Sequence, residues 1–216
     1  MDPWLLALLA LGVLALAWRP NGRLALAGWL LAGLILISPL CNLSVALFSA
    51  RVAQHLLLML LAAPLLALAW PAGRATRAGG AAFVFAAAIW AWHLPAPYLA
   101  TFDSPAAYWA MQASLLMAAT WLWAALRQAA TARPASALLA ALGTSAQMAA
   151  LGALLTLAPR ALFERAHQPG VTAAWGLTPL EDQQLGGVLM WAPGGLLFVL
   201  AGAAIATAML RPRAVG

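Results

Sequence analysis

The stretch Thr178–Gly195, TPLEDQQLGGVLMWAPGG, decides how the chain is read. It places Glu181, Asp182, Gln183 and Gln184 at the mouth of a long apolar segment. A glycine pair follows, Gly186 and Gly187, and then Met190, Trp191, Pro193 and a second glycine pair. A plain membrane anchor has no use for two acids and two amides at its entrance. Polar groups at a membrane boundary are costly unless they cap a helix, meet partners or do work. Thr178 with Glu181 three residues later has the spacing of a capping box. That accounts for Glu181 and leaves Asp182, Gln183 and Gln184 facing the end of the bundle. Pro193 frees a carbonyl inside the helix and is expected to kink it. The glycine pair is expected to let a neighbouring helix approach closely.

Working outward, the chain is too apolar to cover a water-facing surface. Of its 216 residues, 65% are hydrophobic and 7% charged, where a soluble domain carries about 25% charge. The fold class expected is all-α, a polytopic membrane protein. Seven apolar runs long enough for roughly 30 Å of hydrocarbon are marked at about 3–18, 24–40, 52–70, 79–93, 105–126, 135–157 and 184–209. The expectation is one integral membrane domain over 1–216, a seven-helix bundle in a lipid bilayer. The first run follows Asp2 rather than a basic cluster, so it reads as a retained helix and not a cleaved signal. The single cysteine, Cys41, excludes an internal disulfide and a CxxC motif.

Charge sets the expected orientation. The +6 net charge comes from scattered arginines between apolar runs, a topology pattern and not a nucleic-acid surface. Numbering the gaps alternately, one side receives Arg19, Arg23, Arg74, Arg77, Arg127, Arg133, Arg211 and Arg213 and no acid. The other receives Arg51, Arg160 and Arg165 with all five acids. The basic side is expected to be cytoplasmic, which puts the N-terminus outside and the C-terminus inside. All three histidines, His55, His93 and His167, then fall at the outer face with the TPLEDQQ element.

His55 and Met59 are spaced i, i+4 and share a helix face. A neutral imidazole with a thioether suits copper, and Met favours Cu(I). The same pair also reads as a hydrogen-bonded intramembrane His beside a packing Met. Trp92-His93-Leu94-Pro95 ends a helix, since a residue before proline leaves the α region, and His93 there reads equally as a C-terminal cap. No catalytic motif occurs, and an enzyme is not expected.

Taken together, four groups of residues resemble the CtaG-like family of cytochrome c oxidase assembly factors, seven-helix bacterial inner-membrane proteins. They are Gln54-His55-Leu56-Leu57-Leu58-Met59 with Ala63-Pro64; Trp92-His93-Leu94-Pro95 with Tyr98; Leu151-Gly152-Ala153-Leu154-Leu155-Thr156 with Ala158-Pro159; and Trp175-Gly176-Leu177-Thr178 through Gly195. The resemblance implies a non-enzymatic assembly factor for a haem–copper oxidase in the inner membrane, with copper handled at the periplasmic face. His55, Met59, His93 and Met190 are the implied ligands. Gln54, Asp182 and Gln183 would orient the imidazoles, with Glu181, Gln184 and Arg51 at the mouth. The family pattern has further histidines where this chain has Arg51 and Ala113. Arg51 would then supply a fixed positive charge, paired with Asp182 or Glu181. Two other readings stand beside this one: a metal or small-molecule permease with the polar mouth as its vestibule, and a metal-free structural partner of the oxidase.

Overall fold

The computed structural model describes residues 10–16, 22–71 and 77–210. These are predominantly helical, with no strand among the described residues. In chain order the longer helices are α1 (10–16), α2 (Gly22–Ile37), α3 (Pro39–Ala46), α4 (Phe48–Ala67), α5 (Ala78–Trp92), α6 (Pro95–Asp103), α7 (Pro105–Ala132), α8 (Pro134–Leu157) and α9 (Pro179–Leu210); the loop between α8 and α9 carries two short helical turns, Pro169–Thr172 and Ala173–Trp175.

Proline punctuates the chain in a consistent way. Helices α3, α6, α7, α8 and α9 each begin on a proline. At the first helical position the missing N–H would have had no intrahelical partner, and the fixed φ suits the helix. The residue in front is pushed out of the α region: Ser38 and Leu94 both have extended ψ values, 165° and 141°. The run expected over 24–40 is therefore broken into α2 and α3, bent by 52°. The run over 79–93 continues past His93 into α6 after a 68° bend.

Inside helices, proline acts differently. Pro64 and Pro193 each sit in or next to a single π turn, Leu58–Ala62 in α4 and Met190–Gly195 in α9. A proline cannot bond the carbonyl four residues back and its ring crowds it, so the turn widens. The Ala63 N–H accordingly reaches Leu58, five residues back. Pro193 thus produces a π turn inside a helix that runs on to Leu210.

Four helices, α4, α7, α8 and α9, are long and apolar enough to cross a bilayer, and each of the two bent pairs qualifies as one further span. The described residues therefore hold four to six spans. Of the first expected span, 3–18, only 10–16 lie within the described residues, and these are helical. The surface agrees with a lipid environment. Phe83, Leu139, Leu157 and Leu210 are each more than 70% exposed, which is costly in water and not in hydrocarbon. The protein is a membrane protein built as a helical bundle.

Helix α4 lies at the centre, packed against α2, α3, α7 and α9. Small residues set the contacts. A Cβ on Gly186 would fall 2.6 Å from the Phe48 ring of α4. A Cβ on Gly187 would fall 2.7 Å from the Gly152 carbonyl of α8, and one on Gly152 would fall 2.8 Å from the Gly187 carbonyl. The two backbones touch at a reciprocal glycine contact, as small-residue helix crossings require. Gly28 of α2 makes the same approach to α4, 2.9 Å from the Ala62 carbonyl.

Substituting Gly187→Val should therefore destabilise the bundle by at least ~1–3 kcal/mol, the usual range for overpacking. Gly143→Ala, whose Cβ would meet nothing within 4 Å, should be neutral. Thermal midpoints of the purified protein in detergent check this, and equal midpoints for the two variants would refute the packing argument.

Candidate functional site

Helix α4 starts without help from its own sequence. Its N-cap position is Leu47, extended at φ −123° and ψ 134°, and leucine has no acceptor for the first N–H groups. Asp182 of α9 supplies one. The Phe48 N–H donates to Asp182 Oδ2 at 2.6 Å, the Ser49 N–H to Oδ1 at 3.0 Å, and the Ser49 hydroxyl to Oδ1 at 2.5 Å. The Asp182 side chain is fully buried. A carboxylate is favoured at that place because the helix N-terminus presents partial positive charge and charge-assisted donors. The partners of Asp182 are thus a helix end, where the sequence reading had it orient imidazoles. The clue was Leu47 itself, an uncapped start that had to find an acceptor elsewhere.

Its neighbours divide the remaining work. Glu181 and Thr178 form the expected capping box: the Glu181 N–H donates to Thr178 Oγ1 at 3.2 Å, and the Thr178 N–H donates to Glu181 Oε2 at 2.8 Å. Gln183 is buried and faces α8 and the loop after it. Its Nε2 donates to the Leu155 carbonyl at 3.1 Å, and its Oε1 accepts from the Leu162 N–H at 2.6 Å. Gln184 is half-buried, and its carbonyl accepts from Thr156 Oγ1 at 3.4 Å. These four residues hold α9 to itself, to α4, to α8 and to the 158–178 loop.

The histidines lie in the layer next to this capping network. His55 is 4% exposed, and its Nε2 has no hydrogen-bond partner. Its electrostatic neighbours are His93 and Arg51. His93 takes the C-cap position of α5, as the helix-end reading anticipated. Its Nδ1 lies 2.8 Å from the Ile89 carbonyl. A carbonyl only accepts, so Nδ1 carries the proton and the neutral ring keeps its lone pair on Nε2. The Phe48 ring meets His93 edge-on at 6.1 Å. Met59 follows His55 by one turn and is buried, as is Met190 at the start of the α9 π turn. The Met59 carbonyl accepts from Trp123 Nε1 at 2.9 Å.

Gln54 turns away from the imidazoles. Its Oε1 accepts from Gln112 Nε2 at 3.1 Å, and its Nε2 lies 3.5 Å from the Ile35 carbonyl. Arg51 is also placed differently from the sequence reading. It is 1% exposed and pairs with neither Asp182 nor Glu181. Nε donates to the Ser44 carbonyl at 2.9 Å and Nη1 to Thr101 Oγ1 at 2.7 Å. The guanidinium carbon lies 4.2 Å from the Phe102 ring centroid, 5.1 Å from Tyr98 and 5.9 Å from Tyr108. Aromatic faces stabilise a desolvated cation there, which water would do at a surface mouth.

His167 had no assigned role from sequence. Its Nδ1 lies 3.0 Å from the Ala46 carbonyl and so carries the proton, and its Nε2 accepts from the Tyr98 hydroxyl at 2.6 Å. Phe163 of the same loop stacks on Phe48 at 4.8 Å and packs on Tyr98 at 4.4 Å. The loop is thereby held over the start of α4. Among the described residues no three His, Cys, Asp or Glu side chains come together as a metal-binding group.

A helical membrane bundle with a buried polar cluster defines the class. The chain matches the sequence model of the cytochrome c oxidase caa3 assembly factor family over residues 7–82 and 76–212. It belongs to that family, whose members assemble the oxidase and are not the oxidase itself. No curated protein matches significantly, and neither does any solved structure.

Two outcomes follow for stability. Asp182→Ala strands the donors at the start of α4 and should cost at least ~2 kcal/mol, while Asp182→Asn keeps one acceptor and should cost less. Amide exchange at residues 48–51, read by mass spectrometry, should rise in the order wild type, Asn, Ala; unchanged exchange in the Ala variant would count against the cap. For His167, burial pushes the imidazole below its ordinary value of 6.5. The folded state favours the neutral ring, so the unfolded chain takes up the proton first. The stabilisation is therefore present above about pH 6.5 and is lost as pH falls below it. Protease nicking of the 158–178 loop should increase from pH 7.5 to pH 5, and His167→Gln should flatten that profile.

Proposed function

We propose that this chain assists oxidase assembly by carrying copper as Cu(I) between His55, His93 and Met59, at an end of the bundle that faces the periplasm of a bacterial inner membrane. The observation that carries the reading is His55 Nε2, a buried ring nitrogen with no hydrogen-bond partner. Leaving such an atom unpaired in apolar surroundings costs free energy, and a bound metal ion relieves it. The second imidazole offers Nε2, since its Nδ1 proton is committed to Ile89. Met59 shares the His55 face. Two imidazoles and a thioether are a low-coordinate, soft donor set, which suits Cu(I) better than a hard divalent ion. Met190, in the same apolar core, is a further thioether for that set.

The orientation rests on the arginine split, eight against three, and on the confinement of all five acids to one side. With the first span counted, the bundle has seven crossings, N-terminus outside, and its polar end in the periplasm. The client on this reading is a haem–copper oxidase subunit.

A metal-free scaffold is the second reading, and a specific observation favours it. Asp182, Gln183, Gly186 and Gly187 are all taken up by contacts within the bundle. His55→Ala separates the two. For a copper carrier, the variant should reach the membrane at wild-type level, lose Cu(I) retention on purification, and lower oxidase activity in a way that added copper partly restores. A parallel fall in protein and activity without copper rescue would refute the copper reading. A reporter fused at Gln168 should give a periplasmic signal.

A further inference from the structure

Arg51 is a buried cation one turn before His55 on α4. Residues four apart share a helix face, so the Arg51 and His55 side chains leave α4 on the same side. The buried acid of the cluster, Asp182, is engaged with the start of α4. Among the described residues no carboxylate hydrogen-bonds to Arg51; its two bonded partners are a carbonyl and a hydroxyl. Both are neutral, and so are the Phe102, Tyr98 and Tyr108 rings. They orient the guanidinium without cancelling its charge. Arginine keeps that charge at any physiological pH.

We infer that Arg51 is a charge-selectivity residue: it lets the His55 site hold a singly charged soft metal ion and disfavours a doubly charged one. This rests on the copper reading given above. The reasoning is Coulombic. Repulsion between Arg51 and a bound ion scales with the ion's charge, so the penalty on a divalent ion is twice that on a monovalent one. In affinity the factor is squared. For scale, at an effective dielectric near 20 any unit charge at a separation of roughly 10 Å would weaken binding of a monovalent ion by about tenfold and of a divalent ion by about a hundredfold. Ligand softness also favours Cu(I) over Zn(II), but it resides in the donors. The charge contribution resides in Arg51 and can be removed without touching a ligand. Phe102, the nearest of the three rings to the guanidinium carbon at 4.2 Å, offers a second way to change it: a carboxylate there would neutralise Arg51 and leave Arg51 in place.

The test uses the purified full chain in detergent, with Cu(I) and Zn(II) each titrated in competition with a chromophoric chelator. Wild type, Arg51→Gln, Arg51→Lys and Phe102→Glu are compared, with His55→Ala as the site control. Arg51→Gln should tighten Cu(I) by about tenfold and Zn(II) by about a hundredfold, so the Cu(I)/Zn(II) preference narrows by about tenfold. Phe102→Glu should narrow it in the same direction, and it keeps the test decisive should Arg51→Gln fail to accumulate. Arg51→Lys should retain the wild-type preference. Equal tightening of both ions, or an unchanged ratio in both neutralised proteins, would overturn the inference while leaving copper binding intact. Absence of His55-dependent Cu(I) binding in every protein would overturn it together with the copper reading.

Discussion

The carboxylate of Asp182 at the start of α4 is the interaction on which the other features depend. Helix α4 is central and carries Arg51, Gln54, His55 and Met59. It begins at Leu47, which has no side chain able to cap it. Without an outside acceptor, its first donors would be stranded in a buried, largely apolar place, at a cost of about 1–3 kcal/mol each. Asp182 accepts two of these N–H groups and the Ser49 hydroxyl. The same contact fixes the height of α4 against α9, with the Gly186–Phe48 approach one turn away. The depth at which His55 and Met59 lie is therefore set by a residue on another helix.

The second organising feature is the separation of two buried charges. Arg51 and Asp182 are both buried, yet each has its own partners. Between them lies an aromatic cluster of Phe48, Tyr98, Phe163 and His167. Each charge is compensated locally, Asp182 by a helix terminus and Arg51 by ring faces, a carbonyl and a hydroxyl. A direct ion pair would have cancelled both fields. The arrangement found keeps a positive field on the His55 side. It also gives the 158–178 loop a purpose, since Phe163 and His167 of that loop close the cluster from above.

Prolines shape the frame around this cluster. Those at helix starts break the second and fourth apolar runs into bent pairs. Those inside α4 and α9 widen one turn each and free carbonyls, one of which, at Met59, is met by Trp123. Met59 and Met190 both lie in these π turns. The methionines of the proposed site thus occur where the backbone departs from regular geometry, as π turns at functional places often do.

How much was legible in the sequence follows from the range of each interaction. Apolar runs, proline positions and the Thr178–Glu181 box act over a few residues, so the long helices, the helix end before Pro95 and the capping box could be read directly, while the break of the 24–40 run at Ser38 and the helix over Pro95–Asp103 were not. The close packing of Gly186 and Gly187 was also legible, because a residue without a Cβ in an apolar helix has few other uses. Asp182, Arg51, Gln54 and His167 were not. Their partners lie 134, 50, 58 and 69 positions away, and nothing local distinguishes an acid that caps a distant helix from one that orients an imidazole. Composition and periodicity determined a helical membrane bundle with a polar end. The tertiary structure alone decided which polar groups were already satisfied and which, as at His55 Nε2, were left with an unmet need, because a hydrogen bond between distant residues exists only once packing has brought them together.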